Sequence, residues 1–117
     1  MQESGEMYLE TIYILSKKLD DVHSIDIAEY MGFSKPSVSR GVSILKNEGY
    51  IEIDDEYSIT LTEKGLKTAN KIYDRHKVLT KWLIKIGVDE QIAAADACKM
   101  EHVISDETLN ALKKYIE

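Results

Sequence analysis

The chain has one cysteine, no apolar run near the roughly 20 residues that a membrane span needs, and fewer basic than acidic side chains. A lone thiol, Cys98, cannot close an internal disulfide, which fits a reducing compartment and leaves the sulfur available to a metal. The first residues are acidic and lack the apolar core of a signal peptide, so a cytoplasmic protein with no membrane partner is expected. With 15 Lys and Arg against 21 Asp and Glu, the formal net charge is −6. Phosphate affinity comes from Lys and Arg, so this balance argues against indiscriminate nucleic-acid binding and against DNA compaction. Any DNA contact has to come from a local patch. A regulator that binds DNA only when loaded with a cation tolerates such a balance. No internal repeat, low-complexity segment or flexible linker interrupts the 117 residues, a length that suits one domain or two small lobes sharing a core.

Tyr8, Leu9, Ile12, Tyr13 and Leu15 recur at helical spacing and predict a first helix from about Gly5 to Leu19, capped by Ser4. A short amphipathic helix then opens at Ser24 and breaks at Gly32. A second follows, capped by Ser34 with Pro36 in its first turn. Ile27, Met31, Val38, Val42 and Leu45 supply the shared apolar face of a helix-turn-helix. The other face of the second helix carries Ser37, Ser39, Arg40 and Ser43, groups that hold a core poorly and meet phosphates and base edges well. Read as a merely structural hairpin, the same helices would leave that polar face without a purpose. After Gly49 the period switches: Tyr50 to Ile53 and Tyr57 to Leu61 alternate apolar and polar around Asp54, Asp55 and Glu56, a short hairpin. Its acidic tip suits a phosphate backbone badly.

Thr62 caps a long helix from about Glu63 to Ile86, ended by Gly87. Tyr73, Leu79, Leu83 and Ile86, with Trp82 nearby, form an apolar surface that suggests a dimer interface. Asp89 caps a helix from about Glu90 to Ile104, and Ser105 caps a last one through Tyr115. The fold class is therefore mainly α with a small β-hairpin, a winged helix-turn-helix followed by a helical region.

Cys98, Glu101 and His102 stand at i, i+3 and i+4, so on a helix a thiol, a carboxylate and an imidazole project from one face. Together they can grip a divalent metal. The same three also read as a small buried hydrophobe beside two solvated helix residues. Met7 and Glu10, three apart on the first helix, offer one soft and one hard donor, or are simply core and surface. His76 stands alone on the long helix, where a histidine is more often structural than a ligand.

Across nearly the whole chain, Glu6 to Tyr13, Asp26-Ile27-Ala28, Ser34 to Ser39, Leu61 to Gly65 and Glu101 to Glu107 together resemble the diphtheria toxin repressor family. The resemblance implies a metal-activated homodimeric repressor that binds double-stranded operator DNA and controls metal-homeostasis genes. It implies a winged-helix DNA-binding domain over residues 1–70 and a helical metal-binding and dimerisation domain over 71–117, in a short form without the C-terminal barrel of longer relatives. Candidate DNA-contacting residues are Ser34, Lys35, Pro36, Ser37, Ser39 and Arg40.

Iron-responsive members hold the activating metal with a Met on the first helix and a Cys, Glu and His on the fifth, positions that match Met7, Cys98, Glu101 and His102. Manganese-responsive members place acidic residues where this chain has Met7 and Cys98. Thioether and thiolate are soft ligands that favour Fe(II) over the harder Mn(II), so Fe(II) is the expected cofactor and Mn(II) the alternative. A second ion is less clearly provided for. Iron-type relatives build that site from the long-helix His, a Glu four residues on and a His four before the Cys; here those places hold His76, Thr80 and Ala94. Manganese-type relatives use a first-helix Glu with the long-helix His, matching Glu10 and His76.

Two competitors come from other classes. Cys98 with His102 one turn away could serve a cysteine enzyme, but no glycine-rich turn or helix start beside the thiol offers an oxyanion site. No small organic substrate is expected. A winged-helix regulator that senses thiol oxidation or an organic ligand would bind its DNA without metal.

Overall fold

A computed structural model describes residues 3–116. It divides into two compact units, the first ending at Ala69 and the second beginning at Asn70. In the first unit, helix α1 spans Glu3–Lys18, α2 Ser24–Met31 and α3 Lys35–Asn47, followed by strands β1 (Ile51–Ile53) and β2 (Ile59–Leu61). Helix α4, Glu63–Lys85, runs across the boundary, and α5 (Glu90–Met100) and α6 (Asp106–Lys113) complete the second unit. No described helix is long and apolar enough to cross a membrane.

Helix α1 is the spine of the first unit, packing on α2, α3 and β2. Its stripe of Leu9 and Ile12 is fully buried with Ile27, Val38 and Leu45. It begins at least as early as Glu3, so Ser4 lies inside the helix and is not its cap. Glu3 and Glu6 favour the positive end there, and nothing in this stretch breaks a helix. Gly32 closes α2 in the left-handed conformation at φ 69°, the turn that only glycine takes cheaply. Ser34 then caps α3, its Oγ accepting the Ser37 N–H at 3.3 Å.

The strands pair antiparallel, Ile51 opposite Leu61 and Ile53 opposite Ile59. They are shorter than the alternation predicts, because Asp54 Oδ1 accepts from the N–H groups of Glu56 and Ser58, both at 2.9 Å, and folds that stretch into the turn.

In the second unit, Leu79, Leu83, Ala93, Ala97 and Leu109 form one core, with Trp82 packed against it. Leu79 and Leu83 are therefore interior, not the exposed dimer surface that their spacing suggested. Periodicity identifies an apolar face without saying what covers it, and here α5 and α6 do. Among the described residues of this unit, Ile84, Ile86, Ile92, Val103 and Tyr115 are the large apolar side chains left exposed. Helix α5 ends at Met100, four residues before the expected Ile104. The Glu101 N–H still reaches the Ala97 carbonyl at 2.9 Å, but those of Val103 and Ile104 both turn back to Met100.

Candidate metal centre and DNA-reading surface

The turn that ends α5 holds the second unit's chemistry. Glu101 is 0% exposed, an expensive place for a carboxylate unless polar partners compensate it. Two imidazoles flank it. His76 Nδ1, from α4, lies 2.9 Å from Glu101 Oε2, and His102 Nε2 lies 3.3 Å from Oε1. The His102 side chain is itself 1% exposed. The second of these approaches lacks hydrogen-bond geometry, which leaves Oε1 without a hydrogen-bond partner among the described residues. Two ligand atoms that share one ion at about 2.1 Å stand about 3.0–3.5 Å apart, so the Oε1 to Nε2 spacing is that of two ligands on a common metal. The carboxylate and imidazole donors fit a divalent cation. Cys98, one helical turn earlier on α5, is exposed and adds a thiol at the edge of this group.

The proposed second-ion position of the iron type is not supplied. Thr80 donates its hydroxyl to the His76 carbonyl at 2.7 Å, and Ala94 carries no donor atom. In the first unit, Met7 and Glu10 lie on α1, the former half-buried and the latter buried. Thr11 ties itself to the Met7 carbonyl at 2.9 Å.

Sequence reasoning passed over Arg75. This α4 side chain donates to the carbonyls of Glu101 at 3.0 Å and Ile104 at 2.9 Å, and to the Asp106 carboxylate at the start of α6. One guanidinium thus takes the carbonyls released where α5 stops and fixes the turn bearing Glu101 and His102. Only its place beside His76 could have marked it.

The Arg75 hydrogen bond, then the charges of Lys71 and Arg75, hold the Asp106 carboxyl below its usual range. A carboxyl whose pKa is lower folded than unfolded stabilises the fold at pH above its ordinary value of 3.8 and loses that contribution as the pH falls through the lowered value. In urea titrations, wild type should therefore exceed Asp106→Asn at neutral pH, and the gap should shrink as the pH drops beneath 3.8. A constant gap would contradict the pairing.

On the first unit, α3 turns Val38, Val42 and Leu45 inward and leaves Lys35, Pro36, Ser39, Arg40 and Ser43 exposed. Ser34 Oγ also donates to Ser37 Oγ at 2.9 Å, and Arg40 Nη2 reaches the same oxygen at 3.5 Å. Ile25, Tyr30 and Phe33 of the helix-turn-helix are exposed, and Ile25 shares a shallow recess with Lys35 and Ser39. The wing tip, Asp54 to Glu56, is exposed and acidic.

A helix-turn-helix with a wing and an exposed polar strip on α3, joined to a helical unit with a buried carboxylate between imidazoles, defines a winged-helix regulator with a metal-binding unit. Residues 1–57 match the iron dependent repressor N-terminal DNA binding domain, and residues 62–117 match the iron dependent repressor metal binding and dimerisation domain. The chain belongs to the iron-dependent repressor family, that of the diphtheria toxin repressor, whose members are metal-dependent transcriptional regulators. An uncharacterised HTH-type transcriptional regulator of Methanocaldococcus jannaschii is 37% identical over 119 residues, covering 100% of this chain and 95% of its own length. The transcriptional regulator MntR of Escherichia coli O157:H7 is 33% identical over 110 residues, 94% of this chain and 71% of its own. The solved structure of the manganese regulator SloR superposes with a TM-score of 0.85 at 30% identity, over 96% of this chain. This chain spans about half of the SloR chain, 53%.

Proposed function

We propose that the protein is a homodimeric transcriptional repressor of metal-homeostasis genes that binds operator DNA when loaded with a divalent metal, Fe(II) first and Mn(II) as the alternative. The observation that carries the proposal is the buried Glu101 carboxylate held between His76 and His102, with one oxygen spaced for a shared ion. Met7, Cys98, Glu101 and His102 would hold the activating ion, and Glu10 with His76 would serve a second. When bound, a divalent cation would supply the positive charge that offsets the Glu101 carboxylate and the Cys98 thiolate. Arg75 would steady the Glu101–His102 turn through its bond to the Glu101 carbonyl. Ser34, Lys35, Pro36, Ser37, Ser39 and Arg40 would meet the DNA, Arg40 as the longest cationic reach on the strip. Metal occupancy shifts the protein toward its DNA-competent state if the ion favours that state by a few kcal/mol.

Manganese responsiveness has its own support: the pairing of His76 with Glu101, the buried Glu10, and Thr80 and Ala94 in place of the iron-type second-site ligands. Selection from a random-sequence DNA pool, run anaerobically with Fe(II), with Mn(II) and with chelator, tests the function. A two-fold symmetric motif with half-sites about one helical turn apart should be enriched only with metal. Equal enrichment in chelator would refute metal activation and favour a regulator of another signal.

A further inference from the structure

Glycine weakens the middle of a helix, because it has more backbone freedom to lose than alanine has. Gly41 nevertheless stands mid-way along α3, the reading helix. A Cβ there would lie 2.5 Å from Tyr8 Cε2, 2.7 Å from Cδ2 and 2.8 Å from Cζ. The glycine makes a slot for the Tyr8 ring. Tyr8 is buried, and its hydroxyl donates to the Ser37 carbonyl at 3.2 Å, one helical turn before Gly41. The ring also meets Phe33 edge-on, with centroids 6.0 Å apart and planes at 77°. Phe33 lies in the turn that launches α3, so a single α1 side chain touches the reading helix at two points and its leading turn at a third. The carbonyl it grips belongs to Ser37, whose hydroxyl gathers Ser34 and Arg40. Beside the contact lies a recess of about 530 Å³, lined in part by Gly5, Tyr8, Gly41 and Ile44.

Tyr8 directly follows Met7 and stands two residues before Glu10 on α1. We infer that Tyr8 is the positioning residue through which α1, carrying the proposed ligands Met7 and Glu10, sets the register of the reading helix, and that Gly41 is the slot that makes the contact possible. The inference rests on the metal-activated function proposed above. A side chain that merely fills the core would weaken the fold and shift DNA affinity equally with and without metal. A positioning residue changes the ratio between the two.

The test measures DNA affinity of the full chain by fluorescence anisotropy, on the fragment recovered by selection, in Mn(II) and in chelator. Wild type, Tyr8→Phe, Gly41→Ala and the double variant Tyr8→Ala with Gly41→Ala are compared, with Mn(II) affinity of the DNA-free proteins and thermal melts alongside. Gly41→Ala should cut the metal-dependent gain about tenfold, since the added methyl displaces the ring. Tyr8→Phe keeps the ring, folds without a clash and loses only the bond to Ser37, so its gain should fall about threefold. Mn(II) affinity without DNA should stay within about twofold of wild type in both, and Gly41→Ala should cost nothing further once Tyr8 is already alanine. Wild-type gains in Tyr8→Phe and Gly41→Ala, or losses equal in metal and in chelator, overturn the inference while leaving metal activation standing. A wild type that binds DNA equally in both conditions overturns metal activation and this inference together.

Discussion

Glu101→Gln should lower divalent-metal affinity by at least about 100-fold and leave DNA binding in excess Mn(II) no tighter than that of the wild type in chelator. The side chain is fully buried, with His76 at one oxygen and His102 at the other, so the carboxylate is the group on which the cluster converges. Glutamine has the same shape and retains one acceptor oxygen, so the turn fixed by Arg75 should persist. What is lost is the charge and one lone-pair-bearing oxygen, the two properties a hard cation needs. Competition against a metal-sensitive dye reads the affinity, and circular dichroism melts confirm that the variant remains folded. Wild-type metal affinity in a folded Glu101→Gln would remove this residue from the ligand set.

Met7→Asp combined with Cys98→Glu should move metal preference toward manganese. A thioether and a thiol are soft donors, whereas carboxylates suit Mn(II) and raise the negative charge of the set. The ratio of Fe(II) to Mn(II) concentrations needed for half-maximal DNA binding should change on the order of tenfold or more in favour of Mn(II). The exposed position of Cys98 makes its replacement by a longer side chain tolerable to packing. An unchanged ratio would mean that preference is set by Glu10, His76, Glu101 and His102, and that the soft pair is incidental.

The elements that the sequence displayed clearly are those defined by neighbours three or four residues apart. Ser34, Thr62, Asp89 and Ser105 were all legible as caps, and each accepts a backbone N–H in its helix's first turn. Gly32 was legible as the break between α2 and α3 because a left-handed turn has so few other occupants. Ser4 misled, since a capping residue type is necessary for a cap and insufficient for one. The end of α5 was misplaced for a different reason: the side chain that takes its released carbonyls is Arg75, 26 residues before Glu101. The same distance hides the surroundings of Glu101. Sequence spacing put it on one face with Cys98 and His102, but its contact with His76 spans 25 residues, and its complete burial depends on tertiary packing. Tyr8 likewise looked like one apolar stripe residue, and its fit against Gly41 emerges only once the fold brings the two together.

Thermodynamic linkage gives the most direct test of the account. If metal tightens DNA binding by a given factor, DNA must tighten metal binding by the same factor. Mn(II) affinity should be measured anaerobically with and without the selected DNA, beside DNA affinity with and without Mn(II), on one preparation of the full chain. The account predicts two equal factors, each at least about tenfold, both absent in Glu101→Gln. Metal affinity unchanged by DNA, together with equal DNA affinity in Mn(II) and in chelator, would contradict it.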